Sequence, residues 1–204
     1  MRIAIIGAGG HAKVIADAIL AVGRCQIFGF FDDDTSLWRN EILGFPVMGP
    51  IDSWRSHSMD AFVIGIGDNA NRKRMFDQLK TAGATFATIA HPRAVLGRGV
   101  ALGEGTVVLA NVVVNSDTTI GPDSILNTSC TVDHDCIVGA HAHLSPGVNI
   151  AGEVRIGEGV FAGTGANVIP RVRIGDWAII GAGAVVIADI EEAATAVGVP
   201  ARTI

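Results

Sequence analysis

Of the six histidines in this sequence, one has the neighbours that acid–base chemistry asks for: His134 stands between Asp133 and Asp135. A carboxylate held against one imidazole nitrogen fixes the tautomer and raises the basicity of the other. The result is a base titrating near neutrality that can take a proton from an attacking nucleophile. His57 sits in no such pattern and reads as surface. A second pattern concerns binding. Gly7-x-Gly9-x-x-Ala12 follows a short apolar run and opens a helical stretch, with Asp32 about twenty residues further on. Backbone N–H groups at a helix start near Gly10 and His11 would face a phosphate, and Asp32 and Asp33 could accept hydrogen bonds from a sugar or base. A solvated turn at Asp32-Asp33-Asp34 is the plain alternative.

The element that must carry His134 is a repeat. Every sixth residue from Leu96 to Val186 is Val, Ile or Leu, with Ala162 the single exception among sixteen positions. Those three types fill 31 of the 96 positions between 94 and 189, so chance supplies roughly five. Four residues after each comes a small or β-branched side chain, among them Thr118, Cys130, Cys136 and Ala166. Gly103, Gly121, Gly139, Gly157 and Gly175 add a period of eighteen. A period of six fits neither a helix nor a hairpin array. It fits short strands joined by corners, three to a triangular coil, stacked at about 4.8 Å for about five coils. His134 lies midway between the inward Val132 and Cys136, so it should project outward at a corner.

The front of the chain follows other rules. Apolar runs at 3–6, 26–31, 61–66 and 84–89 alternate with helical patterns through Leu20 and over 71–81. Strands alternating with helices imply a parallel sheet that binds ligands at the carboxyl ends of its strands. About four strands fit before His91, whereas a dinucleotide fold needs two mononucleotide halves. The expectation is a Rossmann-like mononucleotide-binding α/β domain over 1–92, then an all-β prism with a C-terminal tail over 93–204. An NAD-dependent oxidoreductase is the weaker reading of the glycine fingerprint.

Composition narrows the classes. A net charge of −5 argues against a general nucleic-acid binder. The longest stretch free of Asp, Glu, Lys and Arg, 136–152, holds two histidines, a proline and three glycines and would not insert in a membrane. Three cysteines without CxxC spacing, and no export signal, point to reduced thiols in a cytoplasmic protein.

The six-residue repeat, with the closing Val197-Gly198-Val199-Pro200-Ala201-Arg202, resembles the hexapeptide acyltransferases, whose units form a left-handed parallel β-helix. Gly-Ala-Gly-Gly-His-Ala at 7–12, Phe-Asp-Asp at 31–33, Ile-Gly-Asp-Asn at 66–69 and the segment 127–136 narrow the likeness to the NeuD/PglD group of bacterial sugar acetyltransferases. That resemblance implies an acetyl-CoA-dependent N-acetyltransferase acting on a nucleotide-linked 4-amino-4,6-dideoxy sugar, with His134 as base and Asp135 as its partner. It puts His143, Gly152, Thr164 and Ala182 along the acetyl-CoA groove. Gly9, Gly10, His11, Asp32, Asp33 and Gly67 fall on nucleotide-sugar positions, and Asn127 is a candidate for orienting substrate. Asp135 is shorter than the Glu found at that position in PglD. The resemblance further implies a homotrimer, and an outward prism face carrying Val107, Val113 and Ile137 is expected to pack in its interface.

Other readings stay open. Sugar O-acetylation, as on sialic acid, could use the same base, and a non-catalytic scaffold would not need acetyl-CoA. A metal-dependent lyase would need converging histidines, but no two of His134, His141 and His143 lie one or two coils apart, so no metal is expected.

Overall fold

The computed structural model describes residues 1–204. The α/β domain begins with β1 (Arg2–Ile6), whose last four residues are fully buried, followed by α1 (Gly10–Val22) and β2 (Gln26–Phe31). A short hairpin of β3 (Glu41–Ile42) and β4 (Phe45–Pro46) and a 3-10 segment (Ile51–Ser56) lead to β5 (Ala61–Ile64) and α2 (Asn69–Thr81). The sheet is parallel in the order β2-β1-β5. Helix α1 packs Ala12, Ile15, Ala16 and Ile19 inward at helical spacing and ends at Gly23 in the left-handed conformation. A Cβ at Gly65, just past β5, would lie 2.7 Å from the Ala12 Cβ, so the strand end and helix meet only through a glycine.

Two expectations change here. The run 84–89 does not complete a fourth strand: it touches β5 only at the bridge from Phe62 to Phe86. The chain then leaves the sheet, and Ile89–Ala90 pairs with Val107–Val108 as the first rung of the prism. His57 is not plain surface but half-buried, its ring 5.4 Å from that of Phe28 and 5.6 Å from that of Phe31.

From there the chain winds as a parallel β-helix of two-residue strands on three faces. The sixth-residue aliphatics and the small residues between them form a single interior cluster of 28 buried residues that includes Cys130 and Cys136. Burial pushes the Cys130 thiol up to about 12, so it acts as filler. Each face shows one outward residue per rung, and strands in register stack these residues. One face, here the ladder face, presents Val95, Val113, Thr131, Asn149, Asn167 and Val185, with Asn149 donating to Asn167. A second, the arginine face, presents Ala101, Thr119, Ile137, Arg155 and Arg173. The third, the docked face, presents Ile89, Val107, Ile125, His143, Phe161 and Ile179.

The α/β domain lies on the docked face. Val107 and Leu109 share one core cluster with Ile3, Ile5, Ile15 and Ile19. The interface face expected from Val107, Val113 and Ile137 therefore does not exist. The three residues lie on three different faces, and Val107 is buried under the chain's own α/β domain.

A polar clasp completes the seam. Arg72 is 1% exposed and donates to the backbone oxygens of Asp123 (3.0 Å) and His141 (2.6 Å) and to Asn69 Oδ1 (2.9 Å). Asp123 Oδ2 lies 3.3 Å from Arg72 Nε and 2.8 Å from His141 Nδ1. Asn69 in turn donates to the oxygens of Gly159 and Val160. Every charge in this clasp is paired, as burial demands.

Candidate functional site

His134 and Asp135 form the turn between the ladder and arginine faces, so they stand on the edge where these faces meet. Asp135 adopts φ +57°, and its Oδ2 lies 2.8 Å from His134 Nδ1. The shorter Asp thus makes the contact. The His134 N–H donates to Asp133 Oδ1, which also accepts from Asn115. The hydrogen bond to Asp135, then the charge of Asp133, raises the His134 imidazole above its ordinary value. The ring is half exposed, and its Nε2 makes no hydrogen bond within the chain. It lies over Gly152 one coil on, where a Cβ would come within 2.7 Å of Nε2 and Cε1. The absence of that carbon is what lets the ring lie flat on the edge.

The crevice expected to take a nucleotide sits at the carboxyl end of the sheet. Gly9 precedes α1 without a side-chain cap, and nothing lies within 4 Å of a Cβ placed on Gly9 or Gly10. The first-turn amides of α1 therefore open on free space. Asp32 and Asp33 are already engaged: Asp32 accepts from the N–H of Ala8 and of Asp34, and Asp33 Oδ1 from that of Ile51. They hold the glycine loop and the 3-10 segment in place, and Asp33 Oδ2 has no partner in the chain. Asp34 is the solvated turn residue, capping the segment Thr35–Leu37.

His143, Asn127, His11 and Gly67 come together at the seam. His143 is 8% exposed, so it does not line an open groove. Its Nδ1 lies 3.2 Å from the Gly67 oxygen and its Nε2 3.2 Å from Asn127 Nδ2. A carbonyl only accepts and an amide NH₂ only donates, so the proton is on Nδ1. Its ring stands 5.9 Å from that of His11, whose Nε2 is buried without a hydrogen-bond partner. Burial lowers both imidazoles to about 4, so both are neutral.

Thr164 and Ala182 fall on the edge between the docked and ladder faces, as does Asn127. The residues assigned to one cofactor groove thus lie on different edges, Gly152 beside His134 and Thr164 and Ala182 one face away. His134, His141 and His143 lie on an edge, at the clasp and on a face, and no three His, Cys, Asp or Glu side chains converge in ligating geometry. The clasp of Asn69, Arg72, Asp123 and His141 was not foreseen. Its one sequence signal is a buried stripe on α2 in which Asn69 and Arg72 share spacing with Phe76 and Leu79.

A prism of hexapeptide coils with a carboxylate-held histidine on its edge, joined to a half-Rossmann domain, defines a class: hexapeptide-repeat transferases with a nucleotide-binding front. Residues 2–79 match the family described as PglD N-terminal domain, and 153–188 match bacterial transferase hexapeptide repeats. PerB from Caulobacter crescentus, solved with CoA and GDP-perosamine, is 39% identical over 100% of this chain and 97% of that one, with a TM-score of 0.94. The acetyltransferase domain of PglB from Neisseria gonorrhoeae, in complex with acetyl coenzyme A, is 34% identical over 100% and 98%, with a TM-score of 0.93. A UDP-N-acetylbacillosamine N-acetyltransferase of Bacillus subtilis is 36% identical over 53% of this chain, a match spanning only about half (51%) of that protein. The chain belongs to the PglD-type sugar acetyltransferases, within the left-handed β-helix superfamily of hexapeptide acyltransferases.

Proposed function

We propose that the protein transfers the acetyl group of acetyl-CoA to the amine of a nucleotide-linked 4-amino-4,6-dideoxy sugar, with His134 as general base. The observation that carries the reading is the imidazole on the prism edge, oriented by Asp135 at 2.8 Å and presenting a free Nε2 above Gly152. In this reading Nε2 takes the proton from the amine nitrogen as that nitrogen bonds to the thioester carbonyl carbon. The same proton then passes to the departing sulfur, leaving an amide and free CoA thiol. The α/β domain holds the nucleotide through the α1 amides, Gly67 and His11.

The site is completed between copies. In a three-faced prism, the edge carrying His134 is opposite the docked face, and the nucleotide crevice lies on that face. A sugar held there is turned away from its own chain's base by the depth of the prism. An uncharged ladder face next to the catalytic edge offers a neighbour somewhere to pack. A homotrimer brings the His134 edge of one copy against the docked–ladder edge of the next, which would gather Gly152, Thr164, Ala182 and Asn127 along one cofactor groove.

The test is a screen of UDP-, dTDP- and GDP-linked amino sugars and free sialic acid, following thiol release from acetyl-CoA. Turnover with a nucleotide-linked amine is expected, falling about 10²- to 10⁴-fold in His134→Ala. Turnover confined to sialic acid would overturn the amine reading, and near-normal turnover in the variant would overturn the base.

A further inference from the structure

We propose that Phe161 and Ile179 on the docked face, with Trp177 at its corner, wall the pocket for the substrate's sugar ring and select a 6-deoxy sugar. The inference rests on the substrate class proposed above and names the residues of this chain that would tell that sugar from its 6-hydroxy counterpart.

Strand order sets the direction in which such a substrate lies. In a nucleotide-binding parallel sheet the nucleoside sits toward the strand that ends in the acidic residues and the phosphates at the first strand–helix turn. The next group crosses to the strand on the other side. With the order β2-β1-β5, Asp32 and Asp33 follow β2, the α1 amides follow β1, and residues 65–68 follow β5. A sugar attached beyond the diphosphate is therefore carried over the end of β5. A cavity of about 450 Å³ opens there, between residues 67–70 and the prism residues Gly159, Phe161, Trp177 and Ile179. Gly67 belongs to both crevice and cavity, and its oxygen accepts from His143 Nδ1, one rung below Phe161. No residue of the docked–ladder edge is among the walls, so the cavity is open on the side where the proposed neighbour brings its base.

The walls choose the chemistry. Polar side chains at the cavity are committed to the fold: Asp68 caps α2 through the Asn71 N–H, and Asn69 donates to the oxygens of Gly159 and Val160. What remains is two aromatic rings and an isoleucine that is 46% exposed. Trp177 adopts φ +58°, a conformation that disfavours a bulky side chain. Its indole lies across Gly159, where a Cβ would come within 2.5 Å of the ring. The glycine thus lets the indole lie against the prism as a fixed wall. Aromatic faces stack on the C–H face of a sugar ring, and an aliphatic wall accepts a C6 methyl but leaves a C6 hydroxyl without a partner. The pantetheine arm is the other apolar group in the proposed reaction, but Thr164 and Ala182, expected along its groove, do not line this cavity.

The experiment compares wild type, Trp177→Asn and Ile179→Ser on the nucleotide-linked 4-amino-4,6-dideoxy sugar that the screen identifies and on the same compound with a hydroxyl at C6. Asn tolerates positive φ and Ile179 is exposed, so both variants should fold, as thermal melts will check. Wild type should favour the 6-deoxy sugar about ten- to a hundredfold in kcat/KM. Each variant should bring that ratio toward one through KM for the sugar, with KM for acetyl-CoA little moved. In titrations without acetyl-CoA, the linked sugar should bind wild type more tightly than its nucleoside diphosphate alone, and Trp177→Asn should erase the difference. No 6-deoxy preference in wild type, or a ratio unchanged in both variants, would overturn the proposal. So would a rise confined to KM for acetyl-CoA, which would give the cavity to the pantetheine arm, or loss of the oligomer in light scattering, which would make these residues a subunit contact. If wild type acetylates no nucleotide-linked amine, the proposed function fails, and the sugar pocket stands or falls by the titrations.

Discussion

The His134 imidazole is tuned by one contact and seated by one missing carbon. A base must be unprotonated to work, and Asp135 raises the value at which His134 releases its proton. The acid limb of the pH–rate profile is therefore expected above the ordinary histidine range. In Asp135→Asn that limb should move to lower pH while the plateau rate falls, measured as kcat/KM across pH. Gly152 gives a separate test. Its Cβ would meet the tip of the His134 ring rather than any backbone. Gly152→Ala should thus displace the imidazole and lower turnover while thermal stability stays close to wild type. A variant fully active with the alanine in place would refute the seat.

Among the elements, the prism was far more legible in the sequence than the seam. A six-residue period dictates which side chains face inward, so the corner position of His134 and the burial of Cys130 and Cys136 followed by counting. Counting in eighteens would also have placed Gly152 beside His134. What counting cannot reach is which outward residues another domain covers. No local pattern names the partners of Arg72 and Asn69, which lie 51 to 91 positions away, and Val107, expected on an outward face, is covered by residues of the front domain. The seam has a pH signature. His11 and His143 titrate near 6.5 when unfolded but at about 4 when folded, so the unfolded chain binds protons that the native one refuses. Their contribution is intact above pH 6.5 and is lost as pH falls toward 4. Thermal melts should show the midpoint dropping across that window, and His143→Gln should flatten the drop. A midpoint constant from pH 6.5 to 4.5 would contradict the neutral pair.

At the scale of the whole molecule, the proposed base on one edge and the proposed nucleotide crevice on the opposite face would leave a single copy incomplete. Two inactive variants should therefore complement each other. His134→Ala removes the proposed base, and Gly10→Asp sets a carboxylate where the α1 amides are proposed to meet phosphate, without crowding any neighbour. Subunits unfolded and reassembled at equal ratio should regain about one quarter of wild-type activity, because an interface works only when each half comes from the right parent. No recovery, with mixed oligomers verified by mass, would return the site to one chain. The clasps at Asp123, His141, Gly159 and Val160 also bear on how such a chain can change in length. Between Ile89 and Val160, prism and helix are fastened at several heights at once, so adding or removing even a whole coil would leave the fasteners out of step. Past Val160 no hydrogen bond or ion pair ties the coils to the front domain, though Phe161, Trp177 and Ile179 still share a cavity with residues 67–70, so it is beyond Ile179 that a lineage is free to lengthen or shorten in eighteens while base and crevice keep their places.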